Sequence, residues 1–152
     1  MPEAGQAAPA FQGVTQDGNT LALADLKGKK VALYFYPADD TPGCTKQACN
    51  LRDGHQELLD AGIAVVGVSP DSASSHEAFI SKYSLPFPLI ADEDKAIMTE
   101  YGVWGEKNFY GKKIIGVKRT TFLIDEDGTI THIFKRPKTA DHTAEILKKF
   151  NG

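Results

Sequence analysis

Two hydrophobic periods alternate along this chain. The densest apolar run, Val31-Ala32-Leu33-Tyr34-Phe35-Tyr36, is β-branched and aromatic. It has no polar side, so it predicts a central strand covered on both faces, ended by Pro37. Ile63-Ala64-Val65-Val66-Gly67-Val68 predicts a second buried strand. Phe11 to Val14 and Thr20 to Leu23 flank Gln16-Asp17-Gly18-Asn19, a hairpin signal near the N-terminus. Thr120 to Ile124 and Thr129 to Phe134 flank Asp125-Glu126-Asp127-Gly128, a second such signal.

Helical spacing fills the gaps between these runs. Leu51, His55, Leu58 and Leu59 share one helix face, as do His76, Phe79, Ile80 and Tyr83. Ser74 three residues before Glu77 predicts a capping box at the start of the latter helix. Thr143, Ile146, Leu147 and Phe150 predict a C-terminal helix. Gly102 to Lys118, with glycine at 102, 105, 111 and 116, reads as a long functional loop. Strands and helices in alternation place the chain in the α/β class, as one domain over residues 1–152.

Composition narrows the function. Hydrophobic residues at 41% and charged residues at 24% exclude collagen, coiled coil and disorder. A net charge of −3 argues against nucleic acid as the main partner. The run Val31 to Tyr36 is far short of the roughly 20 residues of a membrane helix, so no membrane partner is expected. The start Met1-Pro2-Glu3-Ala4-Gly5 has neither a basic nor an apolar leader segment, and a cytoplasmic location is expected. In that setting the two cysteines read as reactive groups rather than a structural staple.

The chemistry concentrates where the first buried strand runs into a helix, Tyr36-Pro37-Ala38-Asp39-Asp40-Thr41-Pro42-Gly43-Cys44-Thr45-Lys46-Gln47-Ala48-Cys49. Ligands in open α/β sheets collect at the carboxyl ends of strands. Thr41 followed by Pro42 is a helix start, which places Cys44 in the first turn, where the helix dipole favours an anion. A free thiol of pKa about 8.5 is roughly 3% thiolate at pH 7, and one of pKa about 6 is roughly 90%. That difference corresponds to about 3.4 kcal/mol, of which a helix end supplies up to about 2, so a nearby cation is required. The competing reading of Cys44 is a small buried hydrophobe. Two cysteines cannot complete a zinc or iron–sulfur site, and their spacing is not Cys-x-x-Cys. His55 lies on an apolar helix face and reads as packed there. Nor does the glycine-rich segment carry the Gly-Lys-Ser/Thr of a phosphate loop.

Thr41-Pro42-Gly43-Cys44 after Tyr34-Phe35-Tyr36-Pro37, with Cys49 five residues on, resembles the peroxiredoxins and within them the peroxiredoxin Q or bacterioferritin comigratory group. Ala8-Pro9-Ala10-Phe11, Gly102-Val103-Trp104-Gly105-Glu106-Lys107 and Gly116-Val117-Lys118-Arg119-Thr120-Thr121-Phe122 resemble further motifs of that family in the same order. The resemblance implies a thioredoxin-like fold, a central mixed β-sheet flanked by helices with an N-terminal hairpin. It also implies a cofactor-free peroxidase, with hydrogen peroxide and alkyl hydroperoxides as substrates, thioredoxin or a similar dithiol as reductant, and a monomer or weak dimer.

Site roles follow from the same resemblance. Cys44 corresponds to the peroxidatic nucleophile and Cys49 to the resolving cysteine of an intramolecular disulfide. Thr41 would hydrogen-bond the peroxide, Gly43 would line its site, and Pro37 would shield the sulfenic acid. Arg119 would be the cation; from its neighbours Lys112, Lys113 and Lys118 alone it reads as a solvated charge. Gln47 stands where many peroxiredoxins have a glutamate. The competing classes are a disulfide exchanger or redox sensor using the same cysteines, and a binding module or chaperone with inert ones. Trp104 reads as a packing anchor, Tyr34, Phe35 and Tyr36 as core, and His76, His132 and His142 as residues of surfaces or helix faces.

The expected disulfide sets a geometric condition. Five residues of regular helix advance about 7.5 Å and leave the Cα atoms roughly 8.7 Å apart, about 140° around the axis. A disulfide needs them within about 7 Å. The helix must therefore open in each turnover.

Overall fold

The computed structural model describes residues 1–151; Gly152, the last residue of the expected domain, lies outside the described residues. The N-terminal hairpin pairs β1 (Gln12–Thr15) with β2 (Thr20–Ala22) and runs into a short 3₁₀ turn, Leu23–Leu26. β3 (Lys30–Phe35) leads into α1 (Pro42–Asp53), α2 (His55–Asp60) and β4 (Ile63–Ser69). α3 (Ala73–Tyr83), β5 (Leu89–Ala91) and α4 (Ala96–Glu100) follow. The hairpin of β6 (Trp104–Phe109) and β7 (Lys112–Val117) precedes β8 (Thr120–Ile124), β9 (Ile130–Phe134) and α5 (His142–Asn151).

Seven strands form one mixed sheet in the order β2-β1-β5-β4-β3-β8-β9. β3 and β4 pair in parallel, as do β4 and β5, while β8 runs antiparallel to β3. Alternation along β3 explains the layers. Val31, Leu33 and Phe35 face one core with Ile97, Met98 and Tyr101. Ala32, Tyr34 and Tyr36 face the other, with Cys44, Ala48 and Leu51 of α1, Leu58 of α2, Phe79 of α3 and Ile146 of α5. The run that reads as a strand covered on both faces is such a strand, one residue shorter at its end and one longer at its start.

Three sequence expectations are corrected. Residues 102–118 are a two-stranded hairpin rather than a loop, turning at Tyr110 and Gly111, both at positive φ (51° and 78°). The helix over Leu51 to Leu59 breaks at Gly54, where any Cβ would lie 2.2 Å from Thr143 Cγ2. Leu59 is consequently exposed and Leu58 takes the core position. α3 is capped by Ser72, whose Oγ accepts from Ser75 N, not by Ser74. His76 and His142 lie on helix faces, as expected, but those faces are fully buried: Asp39 meets the His76 ring from the loop after β3, and Glu145 meets His142 from one turn along α5.

Candidate active site

Cys44 is the third residue of α1 and is 2% exposed. Pro42 opens the helix, and Thr45 N donates to Thr41 O at 2.8 Å as the first intrahelical bond. The Gly43 and Cys44 N–H groups therefore have no intrahelical acceptor, and the positive end of the helix dipole lies in the turn that carries the thiol. Thr41 stands at the N-cap position in extended conformation, as the Thr-Pro pair predicts. Its side chain does not cap the helix. The hydroxyl donates instead to Ala38 O at 2.9 Å, which leaves its lone pairs to accept from a bound molecule.

Arg119 reaches this helix end from the short link between β7 and β8. Its Nη2 lies 3.2 Å from Cys44 Sγ and its Nη1 donates to Gln47 Oε1 at 2.6 Å. The solvated-charge reading of Arg119 is thus wrong. A Cβ on Gly43 would come 3.2 Å from Arg119 Nη2, so glycine leaves the guanidinium room against the helix backbone. Gln47 is buried and neutral and leaves the Arg119 charge to the sulfur. Cys49 lies on the same helix, half-buried, and both thiols are free. Pro37 is half-buried in the connection from β3. The fold thus brings Cys44, Arg119, Gln47 and Gly43 into one constellation, with Pro37 and Thr41 on the adjoining loop.

That loop is tied down by α3. Asp40 has φ of 55°, a strained value for a non-glycine residue. Its carboxylate accepts from Lys82 Nζ at 2.8 Å and Tyr83 Oη at 2.7 Å. Asp39 points inward and accepts from Tyr36 Oη, Ser75 Oγ and His76. The spacing of residues gives no sign of this network, because its members come from three separate stretches, 36–40, 75–76 and 82–83. Asp39, Asp71 and His76 hold their ligand-type atoms within 4.8 Å of one another, the one such group among the described residues. The Asp39 and His76 atoms are already committed to Tyr36, Ser75 and Ile90 O, so protein partners occupy them in place of a cation.

Tyr34 packs beside Cys44. Its hydroxyl and Gln47 Nε2 are the buried side-chain polar atoms without a partner among the described residues. Burial, then the nearby Cys44 and Asp39, push the Tyr34 phenol well above its ordinary range, so it stays neutral. An apolar cavity of about 290 Å³ opens at the opposite end of β3, beside Val31, and is remote from this chemistry. Trp104 packs partly buried against the core, as its anchor reading requires.

The AhpC/TSA family description matches residues 4–133. A Coxiella burnetii homologue named as a bcp peroxiredoxin is 52% identical over 145 residues, covering 95% of this chain and 96% of that one. Peroxiredoxin Bcp of Escherichia coli K12 is 46% identical over 145 residues, covering 95% of this chain and 93% of that one. The solved structure of Xanthomonas campestris bacterioferritin comigratory protein, studied for alkyl peroxide reduction, is 33% identical and covers 98% of both chains with a TM-score of 0.89. Its likeness fixes the mixed sheet and flanking helices as the thioredoxin-like fold. With one family description spanning residues 4–133 and relatives 46% and 52% identical over nearly the whole length, the chain belongs to the AhpC/TSA family as a peroxiredoxin, a thiol peroxidase.

Proposed function

We propose that Cys44 is the peroxidatic thiolate and that Cys49 resolves its oxidised form. The observation that carries this reading is the Arg119 Nη2 to Cys44 Sγ contact at the head of α1. Two positive groups meet one buried sulfur there, and an anion is what that geometry favours.

The thiolate attacks the outer oxygen of a hydroperoxide. An S–O bond forms, the O–O bond breaks, and both electrons of that bond leave with the inner oxygen. The leaving alkoxide or hydroxide takes a proton and departs as alcohol or water. Negative charge spreads from sulfur to oxygen along the way, and Arg119 is placed to follow it. The Thr41 hydroxyl, donating to Ala38 O, accepts a hydrogen bond from the hydroperoxide O–H and orients the O–O bond; the hydrogen stays with the oxygen that sulfur takes. Gly43 keeps the helix end open for the peroxide, and Pro37 shields the sulfenic acid. Hydrogen peroxide and alkyl hydroperoxides are both substrates of this reading.

The Cys49 thiolate then attacks the Cys44 sulfenic sulfur, and the disulfide forms as water leaves. Both cysteines lie on α1, so the regular helix holds their Cα atoms roughly 8.7 Å apart and must open first. Opening also carries Cys44 away from Arg119 and Thr41. The oxidised enzyme is thereby kept from binding peroxide until thioredoxin, or a similar dithiol protein, reduces it. No described helix is long and apolar enough to cross a membrane.

Stopped-flow reaction of the reduced protein with hydrogen peroxide and with cumene hydroperoxide, followed by thioredoxin-coupled turnover, tests this assignment. Cys44→Ser should show neither reaction and keep its fold. Near wild-type turnover in that variant would overturn the assignment and return the cysteines to the disulfide-exchanger reading.

A further inference from the structure

We infer that Asp39 and His76 form a buried carboxylate–imidazolium pair that positions the loop carrying Pro37 and Thr41 for peroxide attack. The inference rests on Cys44 being the attacking thiolate, and it adds two positioning residues to that reaction.

His76 is 0% exposed and Asp39 shows 5% of its side chain. His76 Nε2 lies 2.9 Å from Ile90 O. A carbonyl only accepts, so Nε2 carries a proton. His76 Nδ1 lies 2.7 Å from Asp39 Oδ2. An unprotonated Nδ1 there would set one lone pair against another. Two further donors bear on where the proton sits, and a third contact holds the Asp39 backbone. Tyr36 Oη donates to Asp39 Oδ1 at 2.6 Å, Ser75 Oγ donates to Asp39 Oδ2 at 2.8 Å, and the Asp39 backbone N–H is engaged by Asp71 Oδ2 at 2.8 Å. Donors on both oxygens stabilise the ionised carboxyl over the acid, whose hydroxyl oxygen is the poorer acceptor for Ser75, and the ring paired with that carboxylate carries both protons.

His142 is the control within the same molecule. It is equally buried, but its partners are Thr121 Oγ1 at 2.8 Å and Glu145 Oε1 at 2.9 Å. A hydroxyl can donate as well as accept, so a neutral ring satisfies that site. Only His76 is enclosed by acceptors on both nitrogens.

The pair acts on the reaction through the chain. Asp39 follows Ala38, whose carbonyl takes the Thr41 hydroxyl proton at 2.9 Å. Pinning Asp39 to α3 and β5 through His76 fixes the direction of that carbonyl, and with it the Thr41 lone pairs offered to the peroxide. Buried ion pairs are weak sources of stability but hold a geometry closely, because a broken pair leaves an unpaired charge. Misplacement of a reacting partner by about 1 Å costs on the order of 100-fold in rate.

The first test reads the pair alone. Nitrogen-15 NMR of the reduced wild-type protein at neutral pH should show both His76 ring nitrogens protonated, and the His142 ring protonated on one. A single protonated nitrogen on His76 overturns the inference, whatever the role of Cys44. The second test reads positioning. Asp39→Ala should slow the hydrogen peroxide reaction by on the order of 10- to 100-fold, with alkylation of Cys44 by iodoacetamide nearly unchanged, since alkylation needs the thiolate but not Thr41. Asp39→Asn, which can donate to a neutral His76 ring, should recover most of the loss. If the alanine variant does not fold, Ser75→Ala and Tyr36→Phe, each removing one donor, should show the same selective loss at smaller size. Equal changes in peroxide reaction and alkylation mean a structural role and overturn the inference. Loss of peroxide reaction in Cys44→Ser is a separate result, so the two readings fail separately.

Discussion

The two ends of α1 are held in opposite ways. At its N-terminal end Cys44 is met by one guanidinium, from a residue 75 positions away, next to a glycine. At its C-terminal end Asn50 Nδ2 donates to Ala140 O, Asn50 Oδ1 accepts from Thr143 N, and Arg52 Nη1 donates to Tyr83 O. The first end carries the proposed chemistry; its helical turn is held by that guanidinium, on Cys44 and Gln47, while the ties to α3 belong to the loop before it. The second is fastened to α5 and α3. The proposed cycle, in which the helix opens once per turnover, needs this asymmetry: the reactive turn leaves its place while the far turn keeps the register to which it returns. Gly43 adds to it, since glycine is the poorest helix former after proline.

Arg119→Met breaks the reactive end most severely. Loss of one such charge-stabilising donor costs on the order of 10²- to 10³-fold in rate. The peroxide reaction should fall by more than iodoacetamide alkylation of Cys44, because the cation serves the transition state as well as the thiolate. Equal losses would show that Arg119 acts on the thiolate alone.

Oxidation should separate the two ends directly. In the disulfide form, amide hydrogen exchange should lose protection over residues 45 to 49 and keep it over residues 50 to 53, where the ties to α3 and α5 lie. Equal protection in both redox states would contradict the opening of the helix. Asn50→Ala should act on the other end. It removes two side-chain hydrogen bonds and should lower stability by about 1 to 2 kcal/mol in urea unfolding, with little change in the first reaction with peroxide.

The smallest expected effect is a pH dependence at the fastened end. His142, beside Thr143, is held below its ordinary value of 6.5 chiefly by burial. The unfolded chain therefore takes up this proton first as pH falls, and stability declines below about pH 6.5 with no contribution above it. His142→Asn should flatten that acid limb without removing it, since burial lowers His55 and His132 in the same direction. An unchanged limb would exclude His142 as a source.

How far the molecule could be read from its residues followed the distance between partners. The helix start at Thr41-Pro42-Gly43-Cys44 is local, and it reads correctly from capping and dipole alone. β3 and β4 show as apolar runs because both faces are covered. Arg119 carries no local sign of its role among three lysines, and only the family resemblance singled it out. His76 and Asp39 escaped because 37 positions separate them. Their partners Tyr36 after β3, Asp71 after β4, Ser75 on α3 and Ile90 on β5 share no period with them. The β6–β7 hairpin was hidden by its glycines, which mark loops more often than short strands. β5 and α4 span three and five residues, too short for a period to show.

Trapping the first oxidised species tests the central claim most directly. Reduced Cys49→Ser protein, mixed with one equivalent of hydrogen peroxide and a dimedone probe, should carry a single sulfenic acid adduct, on Cys44, and should then stall with thioredoxin as reductant. An adduct elsewhere, or sustained thioredoxin-linked turnover of this variant, would contradict the assignment of Cys44 as nucleophile and Cys49 as its resolving partner.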